Sequence, residues 1–157
     1  MTHVSFQNIN GYIDDIRYCV ANFDIELGNY NMFTPSQLKM KGDNTNKIYL
    51  KGNKVPDGID LIFTEKAKNC NVFIDDGVTA KSSKISLKND NNFLYLGKNT
   101  ALNKVNAVLL GRGDFIIVGE GISITSNNIW STGYNSGKPN NGLIIGDHCL
   151  IASEVII

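Results

Sequence analysis

A double period in the second half of the sequence constrains its fold more than any other feature. Residues 70–75 (CNVFID), 92–97 (NFLYLG), 114–119 (DFIIVG) and 141–146 (NGLIIG) share one form. Each is a short β-forming run ending in an aliphatic residue that is followed by Gly or Asp. The aliphatic anchors Ile74, Leu96, Val118 and Ile145 stand, by subtraction, 22, 22 and 27 residues apart. Near-constant spacing of this size signals one supersecondary unit per repeat, each burying its apolar face against the next. Within each unit a finer period of six appears: Ile74, Ala80, Ser86; Leu96, Leu102, Val108; Val118, Ile124, Trp130; Ile145, Ile151, Ile157. A second set follows each anchor by four: Val78 and Lys84, Thr100 and Asn106, Ile122 and Asn128, Cys149 and Val155.

Six residues make one short extended run and a bend, and three such sides plus a short loop close a triangular coil. The anchors point into the prism, the positions four later also point inward near a corner, and successive coils pair through parallel ladders that satisfy the backbone. A helix would need apolar steps of three and four. An ordinary parallel sheet would need crossovers of about a dozen residues, for which there is no room. The expected fold is therefore all-β, a parallel β-helix, with its coils over residues 70–157 and an irregular N-terminal cap with irregular first coils over 1–69. In that first part Ile13, Ile16 and Val20 suit a short helix over 11–21, and residues 46–50 and 59–64 read as strands around the turn 55–58 (VPDG). The abundance of Asn and Gly fits many tight turns, since both tolerate left-handed backbone.

Composition excludes several classes. Lys plus Arg and Asp plus Glu number 15 each, with no basic stripe, so nucleic acid is not an expected partner. No apolar run approaches the ~20 residues of a membrane helix, and the start has no export signal, so no membrane span and a cytoplasmic location are expected. Cys19, Cys70 and Cys149 form no CxxC pair, so no metal site is expected and reduced thiols are.

Residues 143–157 (LIIGDHCLIASEVII) resemble the hexapeptide-repeat acyltransferases, most closely the sugar and capsular-polysaccharide O-acetyltransferases. The string IGD-x-C-x-I-A-x-x-V-x-I is the specific part, and the weaker coils from Cys70 onward agree with it. The resemblance implies a left-handed parallel β-helix, a homotrimer, acetyl-CoA bound between neighbouring subunits as acyl donor, and a sugar hydroxyl as acceptor. It also implies that the catalytic His lies in a loop after this string, beyond Ile157. The chain is thus expected to correspond to the front portion of such an enzyme and to transfer no acetyl group by itself.

Acetyl transfer to a hydroxyl needs a base titrating near neutrality and a donor for the developing oxyanion. Imidazole suits the first role, but His3 lies near the N-terminus and His148 takes a solvent-facing repeat position. A Cys149–His148 nucleophilic pair fails because adjacent strand residues face opposite ways. No catalytic residue is assigned. Residues 111–114 (GRGD) read as a bend between coils.

The five extra residues of the third interval fall in the polar, Gly-rich and aromatic segment 130–140 (WSTGYNSGKPN), and insertions in solenoids project as loops, often on the binding face. Beside it the resemblance implies an acceptor-contacting Asn, for which Asn127 and Asn128 are candidates. Trp130 could stack on a sugar ring or serve as a core anchor. Tyr134 has no repeat role and reads as a loop residue. The expected function is acetyl-CoA-dependent O-acetylation of surface-polysaccharide sugars. Two alternatives remain, a non-enzymatic solenoid for carbohydrate binding or assembly and a nucleotide-sugar N-acyltransferase.

Overall fold

The computed structural model of the chain describes residue 20 and residues 25–133 and 139–157. In chain order the strands are β1 (Asn31–Phe33), β2 (Lys47–Leu50), β3 (Ile59–Phe63), β4 (Asn71–Ile74), β5 (Thr79–Lys81), β6 (Ser83–Leu87), β7 (Phe93–Leu96), β8 (Ala101–Asn103), β9 (Val105–Leu109), β10 (Phe115–Val118), β11 (Ser123–Ile124), β12 (Asn128–Thr132), β13 (Gly142–Ile145) and β14 (Leu150–Ile151). They stack into three sheets that form the walls of a prism of about four turns. One wall runs β1-β2-β4-β7-β10-β13, the second β5-β8-β11-β14 and the third β3-β6-β9-β12. The four repeat runs become β4, β7, β10 and β13 in one wall, where Ile74, Leu96, Val118 and Ile145 are direct ladder partners.

Pairing between coils is parallel, as β7–β10, β8–β11 and β9–β12 illustrate. Each N–H and C=O of a wall can thus find its partner one coil away. Ladder pairing begins before Cys70. β2 pairs with β4, and β3 with β6, so the segment read as cap and irregular first coils contributes two strands to the prism. β1 lies antiparallel on β2 and covers the first edge of its wall, a common way to blunt a template for unwanted pairing. The turn at 55–58 is closed by the Ile59 amide donating to the Pro56 carbonyl at 3.2 Å. Of the helix expected over 11–21 only Val20 is among the described residues, and it is buried.

The strict six-residue period fails on the third wall. Ile85, Ala107 and Trp130 are ladder partners there, whereas the regular period had named Ser86 and Val108. The cause is at the corner before this wall. Earlier coils turn it with one left-handed residue, Ser82 or Lys104, while the later coil uses Ser126 and Asn127. Leu102 to Ala107 is therefore five residues and Ile124 to Trp130 six. Lys84 and Asn106, expected inward, face solvent, and the small inward places belong to Ser83, Val105 and Asn128. One of the five extra residues of the last interval sits at this corner, and four lie after Trp130.

Each prism edge is a column of left-handed residues. Gly77, Asn99, Gly121 and His148 form one, with φ of 70°, 58°, 63° and 56°. Asn69, Asn91, Gly113 and Asn140 form the second, and Ser82, Lys104, Asn127 and Glu154 the third. Asn accounts for all three non-Gly residues in the second, because its short polar side chain lowers the cost of this conformation. At the end of the first wall Gly97 and Gly119 stack so closely that a Cβ on Gly97 would lie 2.5 Å from the Gly119 carbonyl.

Two apolar cores result. The inner core fills the prism and contains Leu96, Leu102, Val118 and Ile124, each 2 % exposed or less, with Ile145 at 7 % and Ile151 half-buried. The outer core lies on the outside of the first wall. Phe73, Phe93, Tyr95, Phe115 and Ile117 are covered there by Val20, Ile25, Leu27 and Tyr30. Tyr49 stacks on Phe73 with centroids 4.3 Å apart, and the hydroxyls of Tyr30 and Tyr95 both donate to Asp75 Oδ2. Burial, then the nearby Asp75 charge, raises both phenols above the ordinary tyrosine range. Among the described residues no helix is long and apolar enough to cross a membrane.

Candidate functional site

The sequence directs attention to the last two coils, and the structure separates the four residues nominated there. Asn127 is exposed at a left-handed corner. Asn128, the next residue, begins β12 and points inward with 1 % exposure. Its Nδ2 donates to the carbonyls of Thr125 at 2.6 Å and Ala152 at 3.0 Å, which ties two successive coils together. Trp130 also points inward, 1 % exposed, and belongs to the inner core. The core-anchor role is the one it fills, since a ring closed inside the prism presents no face for stacking on a sugar. Asn128 Oδ1 and Trp130 Nε1 have no hydrogen-bond partner among the described residues. Tyr134 lies outside the described residues.

The stems of the long excursion converge on Asp114, a residue that sequence reasoning passed over as the start of a repeat run. Its carboxylate is fully buried. Oδ2 accepts from the Gly111 amide and the Thr132 hydroxyl, each at 2.7 Å. Oδ1 accepts from the Asn141 amide at 3.0 Å and from Asn141 Nδ2 at 3.2 Å. The neighbouring Arg112 guanidinium turns away to Asp90 at 3.2 Å. The GRGD segment is thus a corner bend closed on a buried carboxylate, as its glycines suggested. The available signal was that Asp occupies the place held by Asn46 and Asn92 in earlier coils.

His148 stands at the first prism edge with its side chain 74 % exposed. Its amide donates to the Glu120 carbonyl at 2.8 Å, and its Nε2 lies 3.7 Å from Glu120 Oε1. The ring covers the corner glycine of the coil below, with Nδ1 2.6 Å from where a Cβ on Gly121 would stand. Asp147 Oδ1 accepts the Glu120 amide at 2.8 Å, which fixes the same edge. Cys149 falls at the coil position of buried Val78, Thr100 and Ile122 but is exposed, and its thiol is directed at the Asp147 carbonyl, 3.7 Å away. Cys70 is buried, and desolvation pushes its thiol up to about 12.

Chemically these groups make an accessible imidazole beside a carboxylate. No cluster of three metal-ligating side chains occurs among the described residues. From Gly119 onward the described residues include no Lys or Arg, and no step of acyl transfer is assigned to them. The outer surface changes character in the same region. On the third wall the outward column Asp60, Lys84, Asn106 continues as Ile129 and Ile156, 44 % and 77 % exposed. On the second wall Thr79, Ala101 and Ser123 give way to Leu150, 75 % exposed.

Comparison of the chain with known protein families, with curated proteins and with solved structures finds no match.

Proposed function

We propose that this solenoid serves acetyl-CoA-dependent O-acetylation of surface or capsular polysaccharide sugars, as part of a homo-oligomer whose transfer site needs groups beyond the described residues. The observation that carries the reading is the place of the string 143–157. Its anchor Ile145 continues the column of Val118, and Ile151 that of Ile124. The motif on which the resemblance rests therefore occupies a regular coil.

The reading is tested with a chimera in which the coil of β13 and β14 is continued by the catalytic-loop coils of a polysaccharide O-acetyltransferase. It expects CoA thiol release that requires both a polysaccharide acceptor and the grafted His. A folded chimera that retains polysaccharide without acetylating it would favour a binding or assembly module. That second reading has its own support in the outward-facing Ile129 and Ile156 of the third wall and Leu150 of the second, because exposed large apolar side chains suit contact with another surface. A nucleotide-sugar N-acyltransferase differs only in acceptor, and an amino-sugar acceptor in the same assay separates it.

A further inference from the structure

We infer that Asp114 is a latch, specific to the last coils, that fixes the start and return of the excursion at residues 133–140. The inference comes from comparing equivalent positions along the prism. Asn46, Cys70, Asn92, Asp114 and Asn141 each precede a strand of the first wall. At Asn46 and Asn92 the side chain works both ways. Asn46 Oδ1 accepts the Cys70 amide at 3.0 Å and its Nδ2 donates to the Ala67 carbonyl at 2.9 Å. Asn92 Oδ1 accepts the Asp114 amide at 3.0 Å and its Nδ2 donates to the Leu109 carbonyl at 3.2 Å. Asp114 keeps the first half of this pattern by accepting the Asn141 amide. It cannot keep the second, because a carboxylate has no N–H to give.

A second departure meets the first. Leu87 and Leu109 are followed in their ladder by Thr132, a hydroxyl in a column of Leu. Thr132 is 5 % exposed and donates to Asp114 Oδ2 at 2.7 Å. Both breaks in the repeat occur at the coil whose loop is lengthened, and each satisfies the other. One carboxylate thereby grips the residue before the excursion through Thr132, the residue after it through Asn141, and its own bend through Gly111. Gly133 closes the arrangement, since with φ of 69° its missing Cβ would stand 2.4 Å from Asp114 Oδ2. Four hydrogen bonds from neutral donors hold the charge in place, and hydrogen bonds to a charged group are roughly twice as strong as neutral ones.

The test uses Asp114→Asn, which restores the residue of the earlier coils and should fold, together with Thr132→Val. In Asp114→Asn the new Oδ1 keeps the Asn141 amide, while Nδ2 faces the Gly111 amide, donor against donor. Native-state amide exchange at Gly111 should quicken about tenfold or more, with Asn141 little changed. Chymotrypsin cleavage after Tyr134 should quicken severalfold. The Gly97 and Gly119 amides, bonded to Val118 and Ile145, should exchange as before. Thr132→Val should by itself quicken cleavage and leave exchange at Gly111 little changed, because it removes only the hydroxyl bond to Oδ2. Unchanged exchange at Gly111 with unchanged cleavage would overturn the latch. Equal quickening at Gly97 and Gly119 would overturn it too, by making Asp114 a general support of the prism. No ligand enters these readouts, so they stand or fall apart from the acetyltransferase reading.

Discussion

The coils that begin at Ile74 and Leu96 and the coil that begins at Val118 have the same ladder and opposite habits. The earlier two repeat at 22 residues, line the prism with Leu87 and Leu109 and carry Lys84 and Asn106 outside, and the second of them opens on Asn92, whose side chain donates to a carbonyl. The later one adds five residues, replaces Asn by Asp114 and Leu by Thr132, and exposes Ile129. Backbone pairing is indifferent to these exchanges because side chains at fixed register positions do not alter the ladder. The difference teaches that the scaffold is generic in its early coils, and that the groups able to contact something else are placed where the repeat breaks.

Substitutions should divide along the same line, and the largest effect belongs to the early coils. Leu96, fully buried between Ile74 and Val118, should cost ~2–5 kcal/mol as Leu96→Ala in urea unfolding. Ile145→Ala, in a coil whose anchor is already 7 % exposed, should cost less, and an equal loss would erase the distinction. Gly119→Ala comes next. Its Cβ would stand 2.8 Å from the Asp147 amide nitrogen, so the coils must part, at ~1–3 kcal/mol. The same change at Gly121 meets only the exposed His148 ring and should cost about 1 kcal/mol, mainly for an Ala in left-handed backbone.

Alkali should act on the early part of the molecule. Burial holds the Cys70 thiol at about 12, above its ordinary 9, and raises Tyr30 and Tyr95 as well. Each folded form favours the neutral group, so this contribution is complete below pH 9 and lost as pH rises through 12. The urea midpoint should therefore fall between pH 9 and 12, and Cys70→Ala should flatten part of the slope. Below that range Cys149, exposed, should be alkylated while buried Cys70 is spared. The smallest effect is expected at His148. His148→Ala should shift stability by less than ~0.5 kcal/mol and leave acetyl-CoA hydrolysis at the background rate of the unaltered chain.

The fold was legible because hydrophobic spacing reports wall and coil directly. Ile74, Leu96, Val118 and Ile145 are found as one ladder for that reason. The third wall was misread because corner length is set by backbone conformation rather than apolarity, and Ser126–Asn127 differs from Lys104 only in how many residues turn. The outer core was invisible because Tyr49, Phe73 and Tyr95 alternate with inward residues in runs that read as uniformly apolar. Trp130 was open between two roles for a related reason, since an anchor and a sugar platform share one residue type and only burial decides. Asp114 was missed because an Asp beside a Gly looks like any turn. Its difference from Asn92 matters only once Thr132 is known to lie against it.

Cross-coil nuclear Overhauser effects test the stacked-coil account most directly. Parallel partners predict amide and α-proton contacts that chain Phe93 to Phe115 to Gly142, and Asn106 to Ile129 rather than to Asn128. Close α-proton pairs of antiparallel type between β7 and β10, helical sequential contacts across them, or an Asn106–Asn128 pairing would contradict the architecture and the corner shift on which the reading of the last coils depends.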